Sequence, residues 1–327
     1  MPASVPDQTE HHTPAADAPA RAIRDRGTFT LVHLSDPHLT NLDEISLRQL
    51  LNKRLLGYLS WRRRRRHEHR RDILEALVAD VRDQAPDQIV ITGDLTQLGT
   101  PAECTQAKHW LEDFGSPAAV MVVPGNHDAY VQDAWDETIG QWHAYLRGDQ
   151  QSTGSADEFP CLRRRGPLAL IGLNSARPTA PLLASGRIGT AQLERLRAML
   201  AQTRDEERCR VLLLHHPVHA AAVSRRKALD DAAALRDVLA EHGAELILHG
   251  HGHFGARWDL PGPEGSRIPV LAAPSASALG AHSRQPAGYL IFRMRSADDP
   301  SGTWQIEVEE RRYDLEQHAF VTSGPVP

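Results

Sequence analysis

Residues able to hold a cation recur along this chain, each set placed where a short apolar run ends. FTLVHLSD (29–36) leads into Asp36-Pro37-His38, a carboxylate and an imidazole two residues apart. In extended chain, residues i and i+2 project to one side, so this pair is expected to grip one ion. QIVITGD (88–94) ends on Gly93-Asp94, and AAVMVVPGN (118–126) on Gly125-Asn126-His127-Asp128, where an amide oxygen and an imidazole are neighbours. CRVLLLHH (209–216) supplies His215-His216-Pro217, and AELILHG (244–250) runs into Gly250-His251-Gly252-His253. The glycines of that last motif permit tight backbone geometry, and its two histidines are suited to serve two adjacent metals. Taken singly, DPH and GD are ordinary turn sequences. The ordered set is different, because mixed nitrogen and oxygen donors without thiolate suit Mn²⁺, Fe²⁺/Fe³⁺ or Zn²⁺ in a catalytic site. His33 and His249 alternate with these positions along their strands and read as packed. His216 and His219 are expected at the edge of the site, and Asp128 as a capping carboxylate as much as a functional one.

The elements that must position these groups are legible from periodicity. The five runs above, with LALIGLNS (168–175), read as buried strands. RRDILEALVADVRDQ (70–84) carries Ile73, Leu77 and Val81 at the spacing of one helical face. Thr190 is expected to cap a second helix, and Asp230 or Asp231 to start a third that ends on Gly243. Alternating strands and helices imply an α/β fold of βαβ units with a sheet covered on both sides, whose strand ends gather ligands. YLIFRMR (289–295) and WQIEVEERRY (304–313) have no helix between them and predict an antiparallel finish.

Composition sets outer limits. The 327 residues are 41% hydrophobic with a net charge of −5. No apolar run approaches the ~20 residues of a membrane-spanning helix. Residues 1–27 lack an apolar h-region and read as a disordered tail, 28–315 as one domain, and 316–327 as a C-terminal tail. Cys104, Cys161 and Cys209 have no paired spacing, which excludes a disulfide scaffold or zinc ribbon and suits a cytoplasmic protein. Mild acidity gives no reason to expect specific nucleic-acid binding.

In the order D-x-H, GD, GNHD, H, GHxH, the chain resembles the calcineurin-like metallophosphoesterases over about residues 29–296. The resemblance implies a sandwich of two mixed β-sheets flanked by α-helices, with a two-metal centre at the strand ends. It implies that Asp36, His38 and His253 bind one metal and that Asn126, His215 and His251 bind the other. Asp94 would bridge the two, which fits a carboxylate with two acceptor oxygens, and His127 would hydrogen-bond the substrate phosphate or protonate the leaving group. The reaction implied is phosphodiester hydrolysis by metal-activated hydroxide. Bacterial phosphodiesterases acting on cyclic nucleotides or glycerophosphodiesters are the branch most resembled, although Val218 stands where that branch often has a second proline. An alternative substrate is a lipid-linked pyrophosphate such as UDP-diacylglucosamine, and a non-catalytic scaffold is the reading the complete motif set weighs against.

Residues 41–71 fit no part of the alternation and read as an insertion. Leu47, Leu50, Leu51, Leu55, Leu56, Leu59 and Trp61 fall near one helical face, followed by Arg62 to Arg66, Arg70 and Arg71. Such a segment suits either a helix lying peripherally on an anionic membrane or a cap over the active site. Ser275, Ser277 and His282 are candidates for a substrate wall.

Overall fold

The computed structural model of the chain describes residues 27–39, 42–43, 45–150, 155–219, 222–283, 285–296, 304–324 and 326. Apart from Gly27, the expected N-terminal tail lies outside the described residues.

Two six-stranded sheets carry the chain. The first runs in the order β12 (Ala319–Ser323), β11 (Trp304–Asp314), β10 (Gly288–Ser296), β1 (Phe29–Leu34), β2 (Gln88–Ile91), β3 (Val120–Val122). The second is ordered β4 (Cys161–Arg165), β5 (Leu168–Gly172), β6 (Cys209–Leu213), β7 (Leu246–His249), β9 (Arg267–Ala272), β8 (Ala256–Pro261). Within them β1, β2 and β3 are mutually parallel, as are β5, β6, β7 and β9. The antiparallel finish is present, and residues read as a C-terminal tail supply β12 at its edge.

Side-chain alternation fixes how the sheets pack. Leu168, Leu170, Val211, Leu213, Leu246 and Leu248 join one core with Leu31, Val90, Met121 and Phe292 of the first sheet. Their strand neighbours Ile171, Leu212, Ile247 and Val270 face the other way, onto Leu193, Leu196 and Leu200 of helix Thr190–Thr203 and Leu235, Val238 and Leu239 of helix Ala232–His242. Helix Arg71–Asp83 buries Ile73, Leu74, Leu77 and Val81, the predicted stripe. The capping expectations need correction. Thr190 is the first helical residue, with Gly189 at φ 83° before it. Asp231 does precede the third helix, but its carboxylate accepts from the Ile188 and Gly189 N–H groups instead.

One buried cation is structural. The Arg163 guanidinium donates to the carbonyls of Arg147, Pro117, Val120 and Ala144 at 2.8, 2.8, 2.8 and 2.9 Å, tying β4 to the segment before it. Arg163→Met strands these acceptors and is expected to cost on the order of 3 kcal/mol of unfolding free energy. Urea melts check this; an unchanged midpoint would refute the tie.

Candidate metal centre

The parallel strands of both sheets point their carboxyl ends at one rim, and each sequence motif leaves a strand there. The strands stop earlier than the sequence reading placed them. β1 ends at Leu34, so Asp36 and His38 are not in extended chain: their φ values are 52° and 43°. Asp94 at 57°, His251 at 68° and His253 at 55° share this left-handed conformation. For residues other than glycine it costs of order ~1–3 kcal/mol each. Backbone bonds between the loops impose it, with the Asp36 and His38 N–H groups donating to the carbonyls of Gly93 and Asp94, each at 3.0 Å. The two side chains therefore meet through loop pairing rather than strand alternation.

Two donor clusters result. In one, Asn126 Oδ1, His251 Nδ1 and Asp94 Oδ2 lie 3.1, 3.1 and 3.3 Å from His215 Nε2. His215 Nδ1 is 2.7 Å from the Thr92 carbonyl, which only accepts, so Nδ1 carries the proton and Nε2 faces the cluster. Burial opposes charge on His215, yet Asp94 and Asp36 lift its pKa to about 9. Lone pairs converging on one point call for positive charge there, which is what a cation supplies.

The second cluster brings together His38, His69 and His253, whose donor atoms lie within 4.8 Å of one another. Asp36 Oδ1 is 3.1 Å from His253 Nε2, and both Asp36 Oδ1 and His38 Nε2 are buried without a hydrogen-bond partner. His38 Nδ1 is held by the Thr96 carbonyl at 3.0 Å, so its free Nε2 is again the ligand-capable atom. Although burial disfavours its charge, the neighbouring histidines hold the Asp36 carboxyl well below the usual carboxylate range. Orphaned buried donor atoms of this kind fit a second cation.

Asp94 belongs to both clusters through one oxygen. Oδ2 lies 3.3 Å from His215 Nε2 and 3.9 Å from His38 Nε2. Oδ1 accepts the His127 N–H at 2.7 Å. The Asp128 carboxylate accepts from the N–H groups of Asp94, Gly125 and Thr96, so it locks the two loops together.

Glycine is required at two positions by proximity alone. A Cβ on Gly250 would stand 1.8 Å from Ser35 Oγ and 2.5 Å from Asp36 Oδ2, and one on Gly125 would stand 2.2 Å from Asp94 Oδ1. Gly250→Ala is accordingly expected to displace Asp36 and lower the metal content per chain, measured by elemental analysis. Full metal loading in that variant would show that the loop has slack.

His127 lies at the edge of the shared oxygen. Its Nδ1 is 2.6 Å from the Gln97 carbonyl, and its ring meets His38 edge-on at 4.9 Å between centroids. Burial and the Arg65 charge pull its pKa well below the ordinary value, against the attraction of Asp94.

Other histidines take supporting places. His33 Nε2 meets Thr92 Oγ1 at 2.8 Å, His249 Nδ1 meets the Gly250 carbonyl at 3.0 Å, and His216 Nδ1 meets Ser175 Oγ at 2.8 Å. His219 stacks on Trp258. Ser275 donates to the Asp36 carbonyl and Ser277 bonds His69 Nδ1, so these serines steady site residues rather than line a wall. The His282 N–H donates to Glu68.

His69 and Arg65 were not singled out as site residues by their sequence, because both sit in the insertion. That segment is a 3₁₀ turn Leu47–Leu50, then helix Arg54–Ser60, a π-helical turn Trp61–Arg65 and a last turn Arg66–Glu68. It lies over the site. Arg54 is buried against the carbonyls of Leu98 and Gly99 and pairs with Asp133. Glu68 is buried and accepts from the N–H groups of Gly280, His282 and Ser283. Leu50 and Trp61 turn inward, while Leu47 and Leu51 are 83% and 85% exposed, so the apolar residues do not share one face. Among the described residues no helix is long and apolar enough to cross a membrane.

Residues 29–255 match the family model of calcineurin-like phosphoesterases. The chain is a calcineurin-like phosphoesterase. It is 30% identical over 251 residues to a probable cyclic nucleotide phosphodiesterase of Rhodococcus erythropolis, covering 75% of this chain and 70% of that one. Over 267 residues it is 27% identical to a cAMP/cGMP dual specificity phosphodiesterase of Mycobacterium tuberculosis, covering 80% and 70%. In fold it is similar to a dimetal phosphatase from Danio rerio, with a TM-score of 0.58 and 14% identity over 90% of this chain and 98% of that one. This calcineurin-like phosphoesterase is thus a metal-dependent hydrolase of phosphoesters with a two-metal centre, and its two sheets form the expected sandwich. The lipid-linked pyrophosphate is not favoured: these relatives are named for other substrates, and the insertion that suggested it sends Arg54, Glu68 and His69 toward the protein.

Proposed function

We propose that the protein hydrolyses small phosphodiesters, cyclic nucleotides foremost, at a centre of two cations chosen from Mn²⁺, Fe²⁺/Fe³⁺ and Zn²⁺. The carrying observation is that Asp94 Oδ2 belongs to two donor clusters at once, with His127 beside it. In this reading Asp36, His38 and His253 hold one cation, Asn126, His215 and His251 the other, and Asp94 bridges them. Bound there, the cations supply positive charge that polarises the phosphoryl group and lowers the pKa of water.

The protein's own contribution is positioning. The carbonyls of Thr92 and Thr96 fix the tautomers of His215 and His38, leaving each Nε2 free to coordinate. The Gln97 carbonyl holds the His127 Nδ1–H, so Nε2 is the free atom of the ring and, when the ring is protonated, the one that would give a proton to the leaving oxygen. The relatives' names support the cyclic nucleotide choice. Free, buried Cys104, Cys161 and Cys209 agree with a reducing cytoplasmic setting.

The test is a panel on Mn²⁺-loaded protein: cyclic AMP, cyclic GMP, a glycerophosphodiester, bis(p-nitrophenyl) phosphate and p-nitrophenyl phosphate. Diester hydrolysis that stops on chelation and returns with metal is expected. Turnover of the monoester alone would overturn the diesterase reading.

A further inference from the structure

We propose that Arg65 is a substrate-binding residue whose guanidinium holds the non-bridging oxygens of the scissile phosphoryl group. The proposal rests on the phosphodiesterase reading above and adds to it an anion subsite delivered by the insertion.

Arg65 differs from its neighbours. Arg62, Arg63, Arg64 and Arg66 are exposed, whereas Arg65 turns inward and is half-buried. The π-helical turn Trp61–Arg65 separates two α-helical stretches, and an added residue of this kind rotates the side chains around it. The segment is held at both ends. Arg54 anchors it on the Leu98 and Gly99 carbonyls, while Glu68, the Arg70 N–H to Ser277 carbonyl bond at 2.9 Å and the His69–Ala278 bridge anchor it on 277–283. Both anchoring segments border the donor clusters, through Gln97 and His127 on one side and Ser277 and His69 on the other.

The guanidinium's hydrogen-bond partners among the described residues are neutral groups, the Gln97 amide, the His127 ring and the Tyr130 hydroxyl. Arg65 Nη1 lies 3.3 Å from Gln97 Oε1, and 3.0 and 3.3 Å from His127 Nδ1 and Nε2. The His127 Nδ1 proton is given to the Gln97 carbonyl at 2.6 Å, so that nitrogen has no lone pair to offer. Among the described residues no carboxylate forms an ion pair with Arg65. Burial pulls its pKa down, and Tyr130 partly offsets this. A cation taken out of water needs an anion or strong acceptors to complete it. Here the group beside it is His127, which itself bonds Asp94 Oδ1 through its N–H. An anionic phosphoryl group drawn to the shared Asp94 centre would come within reach of Arg65, whose planar fork matches two of its oxygens.

The experiment compares wild type, Arg65→Gln, Arg65→Lys, Arg65→Ala and the exposed control Arg63→Ser, each loaded with Mn²⁺ and checked for metal content and melting temperature. Inorganic phosphate is titrated calorimetrically, and bis(p-nitrophenyl) phosphate turnover is measured in parallel. Losing one such donor costs typically about 10²–10³ in rate. Arg65→Gln is expected to lose that much in kcat/KM and to bind phosphate at least tenfold more weakly with both metals retained. Guanidinium added to Arg65→Ala is expected to restore part of the rate, and Arg63→Ser to behave as wild type. Phosphate affinity in Arg65→Gln within threefold of wild type would overturn the proposal, as would failure of guanidinium to rescue a folded, metal-loaded Arg65→Ala. If Arg65→Gln does not fold, Arg65→Lys decides: weakened phosphate binding supports the fork, and unchanged binding overturns it. Since phosphate binding is read without turnover, a wild type inactive on every diester would sink the function reading separately.

Discussion

Replacing Asp94 with alanine is expected to remove at least one metal per chain and to abolish hydrolysis while the fold persists. The reason lies in a single atom. Among the described residues, Asp94 Oδ2 is the one carboxylate oxygen within 4 Å of both His215 and His38, so its loss takes a donor from each cluster. The remaining donors are mostly neutral imidazoles and an amide, which hold a divalent ion less firmly without the anionic bridge. The fold has little need of the carboxylate. Apart from the His127 N–H on Oδ1, its interactions are with the clusters themselves, and the loop stays fixed by Asp128 through the Asp94 and Thr96 N–H groups. Asp94→Asn separates the parts, since an amide oxygen at Oδ1 keeps the His127 contact while the charge is gone. Elemental analysis and a thermal melt on both variants suffice. Two tightly bound metals per chain in Asp94→Ala would refute the bridge.

For His127 the expected result is the reverse pattern, with rate lost and metal kept. His127→Ala should lower kcat by about 10²–10⁴, the usual contribution of a positioned general acid. Both metals should remain, because the seven proposed ligands do not include this ring. The loss should shrink with substrates whose leaving group needs no proton, so bis(p-nitrophenyl) phosphate is predicted to suffer less than cyclic AMP. A poor leaving oxygen depends on the acid, whereas a nitrophenolate departs unaided. The geometry also offers the competing outcome. His38, Asp94 and His127 together could hold an ion, and a metal-depleted His127→Ala would make His127 a ligand rather than the acid.

Much of the centre was legible in the primary structure because its chemistry is carried by residue type and order. Asp36, His38, Asp94, Asn126, His215, His251 and His253 all reach the rim, and His127 stands beside them, as the motifs implied. The strands that deliver them were legible too, since buried parallel strands read as short apolar runs. The backbone that aims the ligands was not. Periodicity reports extended or helical chain, whereas five of these candidate ligands sit at positive φ. Their conformation is set by loop-to-loop bonds such as Asp36 N–H to the Gly93 carbonyl, between residues far apart in sequence.

The insertion shows the same division most sharply. Its arginines and leucines identified an amphipathic segment, and composition alone left membrane surface and cap open. Which arginine matters depends on helical phase, and a π-helical turn resets that phase in a way no spacing rule anticipates. Arg65 meets His127, 62 positions away, and His69 meets Ser277, 208 positions away. The sequence by itself determined the donor set, the family resemblance and the alternation of strands and helices, because each is a local property of residue type and order. Only the tertiary structure decided the left-handed backbone of the donor residues, the one Asp94 oxygen that faces both clusters and the inward turn of Arg65 and His69, because each is imposed by partners that the folded chain alone brings within bonding distance.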